Sequence, residues 1–203
     1  MKYAIITGSH RQNSQSLKVG KYIENRIKTL QPDAETYFLE LATANIPMWD
    51  EGVWKGEEKW KTAWSPIAAE LQTCDAIIPI TPEWAGMATP MIKNFFLLCS
   101  TNEVGHKPGM IVSVSSGRGG AYPINELRTS SYKNNHLCYI PEHLIIRFVT
   151  ERLNEAEAVS EDDTITRQRI DYALNVLNLY TENFKNIRAK SDVWKSKEFA
   201  YGM

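Results

Sequence analysis

Short, strongly apolar runs alternate with amphipathic segments along most of the chain. The first run, KYAIIT at residues 2–7, ends at Gly8 and is typical of a strand buried on both faces. Apolar side chains then recur at helical spacing over residues 17–30, and Gln31 with Pro32 predicts the end of that helix. This alternation indicates right-handed β-α-β crossovers and a parallel sheet that helices cover on both sides.

The same alternation continues through the rest of the chain. Further strands are predicted at residues 35–41, 74–81, 109–115 and 137–149, the last as one strand or a bent pair, and further helices at 90–100, 121–135 and 164–188. Five such units fit an α/β, flavodoxin-like three-layer sandwich with a five-stranded parallel sheet in the order 2-1-3-4-5. The ligand crevice of such a sheet lies at the carboxyl ends of the strands. No internal repeat or linker is visible, so we expect a single domain over residues 1–203.

The composition is that of an ordinary globular protein. The chain has 203 residues, of which 43% are hydrophobic and 23% charged, enough for one substantial core. A formal net charge of -1 without a basic block argues against nucleic-acid binding. No apolar run approaches the ~20 residues of a membrane span, and the first residues do not resemble a signal peptide. Three cysteines without a CxxC pair predict reduced core thiols, which favours a cytoplasmic protein.

A polar stretch, GSHRQNSQS at residues 8–16, directly follows the first predicted strand and is called the first loop. In a doubly wound sheet it leads into the first helix, where unpaired N–H groups and the helix dipole favour an anion. Its three serine hydroxyls and one guanidinium are donors that a phosphomonoester uses. The alternative is helix capping by Asn13 or Ser14 with a solvated Arg11, which leaves the other polar residues without a role. We therefore expect a phosphate site formed by Ser9, Arg11, Ser14, Gln15 and Ser16.

The phosphate is predicted to be a terminal one. The first loop lacks the G-x-G-x-x-G of dinucleotide-binding folds and the G-x-x-x-x-G-K-[ST] of P-loops. Two further loops at strand ends suit a flat aromatic ligand: the second loop, TPEWAGMATPMIKN at residues 81–94, and the third loop, SVSSGRGGAYP at residues 113–123. Either loop alone is a weak signal, because such turns often contain Gly, Ser and Pro. Together with the first loop they indicate one ligand at the edge of the sheet.

Over residues 2–150 the sequence resembles the NADPH-dependent FMN reductase family. The family's G-S-x-R-x-x-S-x-N loop is matched by Gly8, Ser9, Arg11, Ser14 and Ser16. Its P-E-Y-N-G loop, with the Lys-Asn that follows, is matched by Pro82, Glu83, Trp84, Gly86, Lys93 and Asn94. Its Ser/Gly-rich loop is matched by Ser115, Ser116, Gly117, Gly119 and Gly120. The resemblance implies a flavodoxin-like fold, bound FMN, and homodimers or homotetramers. It also implies reduction of flavins, quinones, azo dyes or metal oxyanions by NADPH or NADH.

By the same resemblance the first loop holds the FMN phosphate, and the other two loops contact the isoalloxazine ring. The implied ring contacts are Pro82, Glu83, Trp84, Ala85 and Gly86 from the second loop and Ser115, Ser116, Gly117 and Gly120 from the third. Three residues depart from the family pattern: Trp84 replaces Tyr, Ala85 replaces Asn, and Ser16 replaces the final Asn of the first loop. For Glu83 a solvated carboxylate is favoured over a role in tuning the flavin. Arg118 is interpreted either as a contact to NADPH or reduced flavin or as a surface residue.

The chemistry that the resemblance implies requires little from the side chains. A hydride passes from NAD(P)H to the flavin and then to an acceptor on the same face, in a ping-pong cycle. No protein acid or base is needed, and no catalytic residue or metal site is predicted. The four histidines lie on separate segments, and the sequence has no G-x-S-x-G motif. Two alternatives stay open: an FMN electron carrier reduced by a partner protein, and a phosphohydrolase or regulatory module that binds another phosphate.

Two segments depart from the simple alternation. Residues 48–64 contain four tryptophans among charged residues and resemble an insertion, for which local packing is favoured over covering a pocket or a partner subunit. The helix at residues 90–100 has four consecutive apolar residues from Phe95 to Leu98, and one helix face cannot bury all four against a sheet. We therefore expect a homodimer or homotetramer formed partly by this helix, with a small-molecule electron acceptor as the other partner.

Overall fold

A computed structural model describes residues 1–190 and 198–199. In these residues one sheet contains seven parallel strand segments. They are β1 (Lys2–Thr7), β2 (Glu35–Glu40), β3 (Ala76–Pro82), β4 (Pro108–Gly109), β5 (Val112–Val114), β6 (Cys138–Tyr139) and β7 (Leu144–Ile146). β1 lies between β2 and β3, both β4 and β5 pair with β3, and β6 and β7 pair with β4 and β5 respectively.

The predicted strand order 2-1-3-4-5 is confirmed, with the last two strands each divided into two segments. Met110 and Ile111 separate β4 from β5, and residues 140–143 separate β6 from β7. The second interruption contains Pro141, which has no N–H to donate to a neighbouring strand. Of the two alternatives for residues 137–149, the bent pair is therefore correct.

Helices lie on both faces of the sheet. They are α1 (Gln15–Leu30), α2 (Gly52–Lys55), α3 (Glu58–Ala63), α4 (Ser65–Thr73), α5 (Pro90–Leu98), α6 (Thr101–Val104), α7 (Ala121–Ser130) and α8 (Glu161–Ala189), with a 3-10 helix at Val149–Glu151. α1, α5 and α8 confirm the helices predicted there, with ends that differ by a few residues. No helix in the described part of the chain is both long and apolar enough to cross a membrane.

The helix predicted at residues 121–135 is too long, because α7 ends at Ser130. The hydroxyls of Thr129, Ser130 and Ser131 all donate to main-chain carbonyls of the preceding turn. Such local side-chain hydrogen bonds give the backbone alternatives to a continuing helical ladder. The last part of the predicted helix is therefore a turn.

Apolar side chains form one core on each face of the sheet. α1 and α8 cover one face, and α4, α5 and α7 cover the other. The buried residues of these helices include Val19, Ile23, Ile170 and Leu174 on the first face of the sheet. On the second face they include Leu71, Ile92, Phe95 and Leu127. The predicted three-layer sandwich is confirmed, and the carboxyl ends of its strands carry the three polar loops.

The tryptophan-rich segment packs against α5. Trp60 and Trp64 are buried, and the Trp64 ring meets the Phe95 ring edge-on, with 5.9 Å between their centroids. Local packing is thus confirmed for these two tryptophans. Phe96 is also buried, with its ring against those of Phe95 and Tyr139, so three of the four consecutive apolar residues are covered within the chain itself. Leu97 alone among the four consecutive apolar residues is exposed, at 62%.

Candidate functional site

The first loop connects β1 to α1, and its serines have different environments. Ser9 is buried, and its Oγ accepts a hydrogen bond from the Arg11 N–H at 3.1 Å. Ser14 is the N-cap of α1, and its Oγ accepts from the Leu17 N–H at 3.1 Å. The capping alternative is therefore correct for Ser14, whose hydroxyl still has a proton to donate. Capping does not account for the other donors of the loop.

Ser16 has a buried hydroxyl whose Oγ has no hydrogen-bond partner within residues 1–190 and 198–199. A buried hydroxyl left unpaired costs about 1–3 kcal/mol. Ser16 lies in the first turn of α1, where backbone N–H groups also lack partners inside the helix. It lines the same cleft as Arg11, which is exposed. An anion bound at this point would accept hydrogen bonds from all of these donors.

The second loop makes a tight turn over residues 84–87, just after β3. Main-chain hydrogen bonds join Trp84 and Met87 in both directions, at 3.0 and 2.9 Å. Ala85 and Gly86 have positive φ values of 49° and 73°, as in a type I′ turn. That turn favours Asn-Gly, and the left-handed conformation costs most L-residues about 1–2 kcal/mol. Alanine in place of the family's asparagine therefore introduces local strain.

Replacing Ala85 with asparagine should stabilise the protein by about 0.5–1 kcal/mol, because asparagine tolerates a left-handed backbone better than alanine does. Urea unfolding followed by circular dichroism measures the change in the free energy of unfolding. Ala85→Val is the opposite control and should destabilise, since a β-branched side chain resists positive φ. A lower free energy of unfolding for Ala85→Asn would argue against this turn conformation.

Glu83 joins the second loop to the third. Its N–H donates to the Val114 carbonyl at 2.9 Å, and its carboxylate Oε2 accepts from the Gly120 N–H at 2.5 Å. The interpretation of Glu83 as a solvated carboxylate is therefore wrong, because the side chain is half-buried and hydrogen-bonded between two loops. The glycine-rich part of the third loop made this contact hard to predict, since a main-chain N–H leaves no signature in the sequence.

The three loops surround a cleft of about 260 Å³ at the carboxyl ends of the strands. The predicted residues that line it are Ser9, Arg11, Ser14, Gln15, Ser16, Pro82, Glu83, Trp84 and Ser116. The predicted residues that belong to the same loops without lining this cleft are Ala85, Gly86, Ser115, Gly117 and Gly120. The structure therefore brings the predicted residues of the first loop together with four of the nine predicted ring contacts.

Three further residues line the cleft and were not predicted: Asn13, Val114 and Val149. Val114 ends β5, and Val149 begins the 3-10 helix shortly after β7. Their positions at the carboxyl ends of neighbouring strands are the signal that would have indicated them. Asn13 lies within the first loop itself, with a positive φ of 51°.

Lys18 of α1 holds Val149 at one wall of the cleft. Its Nζ donates to the main-chain carbonyls of Val149 and Arg152 at 2.7 and 2.8 Å and to Asn154 Oδ1 at 2.6 Å. Burial at this position lowers the pKa of the Lys18 ammonium group. The three acceptors offset the loss of water around this cation, so the segment after β7 is fixed beside the first turns of α1.

Three of the four histidines lie in two places. His10 stacks on Trp84 next to the cleft, with ring centroids 5.3 Å apart. His106 and His136 come together at 5.4 Å between centroids, although they are on separate segments of the sequence. They precede β4 and β6 and so lie at the opposite edge of the parallel sheet. In the part of the chain that the structure describes, no three His, Cys, Asp or Glu side chains are grouped as metal ligands would be.

Sequence comparison relates this chain to a family of flavin-dependent enzymes. The sequence model of the NADPH-dependent FMN reductase family matches residues 1–151. The chain is also 26% identical over 133 residues to an NADPH azoreductase from Bacillus sp. (strain OY1-2), which covers 64% of this chain and 68% of that protein. The matched residues 1–151 of this chain include the first, second and third loops.

Solved structures of flavoenzymes share the fold. FerB, a flavoenzyme NAD(P)H:(acceptor) oxidoreductase from Paracoccus denitrificans, has a TM-score of 0.59 and 21% identity, over 91% of this chain and 97% of FerB. The apo form of an NADH:FMN oxidoreductase, EMOB, has a TM-score of 0.64 and 14% identity, over 88% of each chain. At these identities the likeness concerns the fold alone, whereas the family match spans most of the chain. The chain therefore belongs to the NADPH-dependent FMN reductase family, whose members are oxidoreductases with FMN as cofactor and NAD(P)H as co-substrate.

Proposed function

We propose that this chain passes a hydride from NAD(P)H through FMN to a small acceptor, such as a flavin, quinone, azo compound or metal ion, in a ping-pong cycle. Bound FMN supplies the redox chemistry, and the chain supplies binding, orientation and access. The observation that carries the proposal is the buried Oγ of Ser16, which has no partner among the described residues and lies in the cleft that the family motifs surround.

The first loop has the donors that the FMN phosphate requires. Ser9, Ser14 and Ser16 contribute hydroxyls, Gln15 an amide and Arg11 a guanidinium, and all five residues line one cleft. The amino end of α1 adds unpaired N–H groups and a favourable dipole. Charge-assisted hydrogen bonds of this kind are about twice as strong as neutral ones, so a doubly charged monoester is the ligand that gains most here.

The second and third loops would hold the flavin ring. Trp84 and the stacked His10 give the cleft a flat surface, and Glu83 lies beside them. We assign the ring contacts to Pro82, Glu83, Trp84, Ala85 and Gly86 and to Ser115, Ser116, Gly117 and Gly120. Because Ala85 lacks the amide of asparagine, the main chain supplies the polar contacts at that point. These residues orient the ring, and none of them is required to move a proton.

Visible spectroscopy tests this function. The purified chain should show flavin absorption or take up added FMN, and NADPH or NADH alone should bleach it without oxygen. An added quinone or azo dye should then restore the colour. A colourless protein that takes up no FMN would refute the proposal. Bound FMN that only a partner protein reduces would identify the electron carrier, and release of phosphate from an aryl phosphate without flavin uptake would identify the phosphohydrolase.

We also propose a homodimer or homotetramer in which α5 forms part of the interface. Leu97, Trp54 and Tyr132 are 62%, 77% and 43% exposed, and all three line one groove of about 650 Å³. Exposed apolar side chains that share a groove are typical of contacts between subunits. A second copy of the chain is the occupant that we expect, since it would cover these side chains in each subunit at once.

Leu97→Lys should convert the oligomer to monomers, because it places a charge in the apolar contact. The fold itself should change in stability by less than about 0.5 kcal/mol, since Leu97 is exposed within the subunit. Leu179→Lys is the matched control, because Leu179 is 60% exposed on α8. Analytical ultracentrifugation at micromolar concentration should show an oligomer for the native protein and the control and a monomer for Leu97→Lys. A monomeric native protein would rule out the interface.

We further propose that residues 1–203 form one domain of a cytoplasmic protein. The packing of α8 onto the α1 face of the sheet supports this, while residues 191–197 and 200–203 lie outside the described residues. All three cysteines are free thiols, and burial raises the pKa of Cys74 to about 11. Reduced, buried thiols are typical of proteins in reducing compartments.

A further inference from the structure

The third loop contains the most glycine-rich stretch of the site. Three of the four residues at 117–120 are glycine, and Gly120 has a φ of 108°, which L side chains rarely adopt. Glycine loses more conformational freedom on ordering than any other residue. A loop of this composition therefore needs contacts from other segments to keep one shape.

Two charged side chains from other segments make such contacts. The Glu83 carboxylate accepts from the Gly120 N–H, with 2.5 Å between Oε2 and the nitrogen. The Arg147 Nε donates to the carbonyls of Arg118 and Gly119 at 2.8 and 3.0 Å. Both are charge-assisted hydrogen bonds to the main chain. Arg147 is exposed whereas Glu83 is half-buried, so water and salt screen the carboxylate contact less.

Two of the glycines allow the protein to pack closely against this loop. A Cβ added to Gly119 would lie 2.5 Å from Glu83 Oε1, and a Cβ added to Gly120 would collide with Ile145 Cγ2. At Gly117, by contrast, an added Cβ would have no described heavy atom within 4 Å. The absence of a side chain at 119 thus lets the carboxylate reach the main chain, and the absence of one at 120 lets the loop pack against Ile145, whereas Gly117 has no such role.

We propose that Glu83 is a positioning residue whose carboxylate, acting on the Gly120 N–H, holds the third loop in the shape that receives the flavin ring. This inference rests on the proposed FMN site. Glu83 lines the cleft, and it lies 37 residues from Gly120 in the sequence, so the contact joins two separate loops. Without it, FMN would have to order a glycine-rich loop on binding. The apparent affinity would then equal the intrinsic affinity multiplied by the fraction of time that the loop spends in the competent shape.

Amide hydrogen exchange in the FMN-free protein, followed by NMR, tests the contact itself. In Glu83→Ala the Gly120 amide should exchange about tenfold faster, while the Ala88 amide should not change. Glu126→Ala is the matched control, because Glu126 Oε2 accepts the Ala88 N–H at 2.7 Å. That variant should accelerate exchange at Ala88 and leave Gly120 protected. Glu83→Gln keeps an acceptor oxygen and should restore most of the protection of Gly120.

FMN titration of the same variants tests the consequence of the contact. Glu83→Ala should bind FMN about tenfold more weakly than the native protein, and Glu83→Gln should recover most of that loss. The inference is overturned if Gly120 exchanges equally fast in the native protein and Glu83→Ala, if Glu83→Ala binds FMN normally, or if Glu83→Gln is as impaired as Glu83→Ala. A native protein that binds no FMN would instead refute the proposed function, and the exchange comparison would still show whether Glu83 holds the loop.

Discussion

The double variant Arg11→Ala, Ser14→Ala should bind FMN more weakly than the native protein by about 2–4 kcal/mol, because each lost contact to a phosphate costs about 1–3 kcal/mol. Arg11 is exposed, so its removal should leave the fold intact. Ser14 caps α1, and its loss should lower the free energy of unfolding by about 0.5–2 kcal/mol. Fluorescence titration with FMN and urea unfolding of the FMN-free variant measure these two effects separately. Unchanged affinity would mean that the phosphate binds elsewhere.

Ser16→Ala is the control that separates binding from folding at the same site. The Ser16 hydroxyl is buried without a partner in the described structure, so alanine should leave the free energy of unfolding unchanged or raise it slightly. If a phosphate accepts from this hydroxyl, FMN binding should still fall by about 1.5–3 kcal/mol. A destabilised Ser16→Ala that binds FMN normally would show that the hydroxyl serves the fold.

The second large effect is expected at Gly117. An added Cβ there would have no described heavy atom within 4 Å, and Gly117 is not among the residues with positive φ. The free energy of unfolding of Gly117→Ala should therefore equal that of the native protein or exceed it by up to about 1 kcal/mol. If Gly117 contacts the flavin ring as proposed, the added methyl group would lie between the third loop and the ring. We expect FMN binding to weaken by about 1–3 kcal/mol, the usual cost of an overfilled contact.

Gly120→Ala is the control for this prediction. Its φ of 108° and its closeness to Ile145 make a side chain unfavourable before any ligand binds. It should therefore destabilise the FMN-free protein, which Gly117→Ala should not. Normal FMN affinity in Gly117→Ala would place the ring away from this part of the loop.

Most of the fold could be predicted because strands of a parallel sheet are buried on both faces and therefore appear in the sequence as continuous apolar runs. The interruptions of the last two strands are less visible, since Met110 and Ile111 prolong such a run although neither belongs to a strand segment. The burial of Phe96 could not be predicted from the period of its own helix. The Phe96 ring packs against Tyr139 of β6, which lies more than 40 residues further along the chain.

The part of the cleft that the first loop lines could be predicted because its polar residues are concentrated in one short stretch of sequence. The contacts that shape the rest of the cleft join distant positions through main-chain atoms. Glu83 and Gly120 are 37 residues apart, and Lys18 and Val149 are 131 residues apart. Neither main-chain partner has a side chain that would identify it as an acceptor or a donor, so these pairs appear only in the folded structure.

Comparing the affinities of FMN and riboflavin for the native protein tests most directly whether a phosphate is held at the amino end of α1. The two flavins share the ring and differ in the phosphate, so contacts of the second and third loops cancel in the ratio. FMN should bind at least about 100-fold more tightly, the ratio that two charge-assisted hydrogen bonds of about 1.5 kcal/mol each would produce. Equal affinities would show that the first loop holds no phosphate.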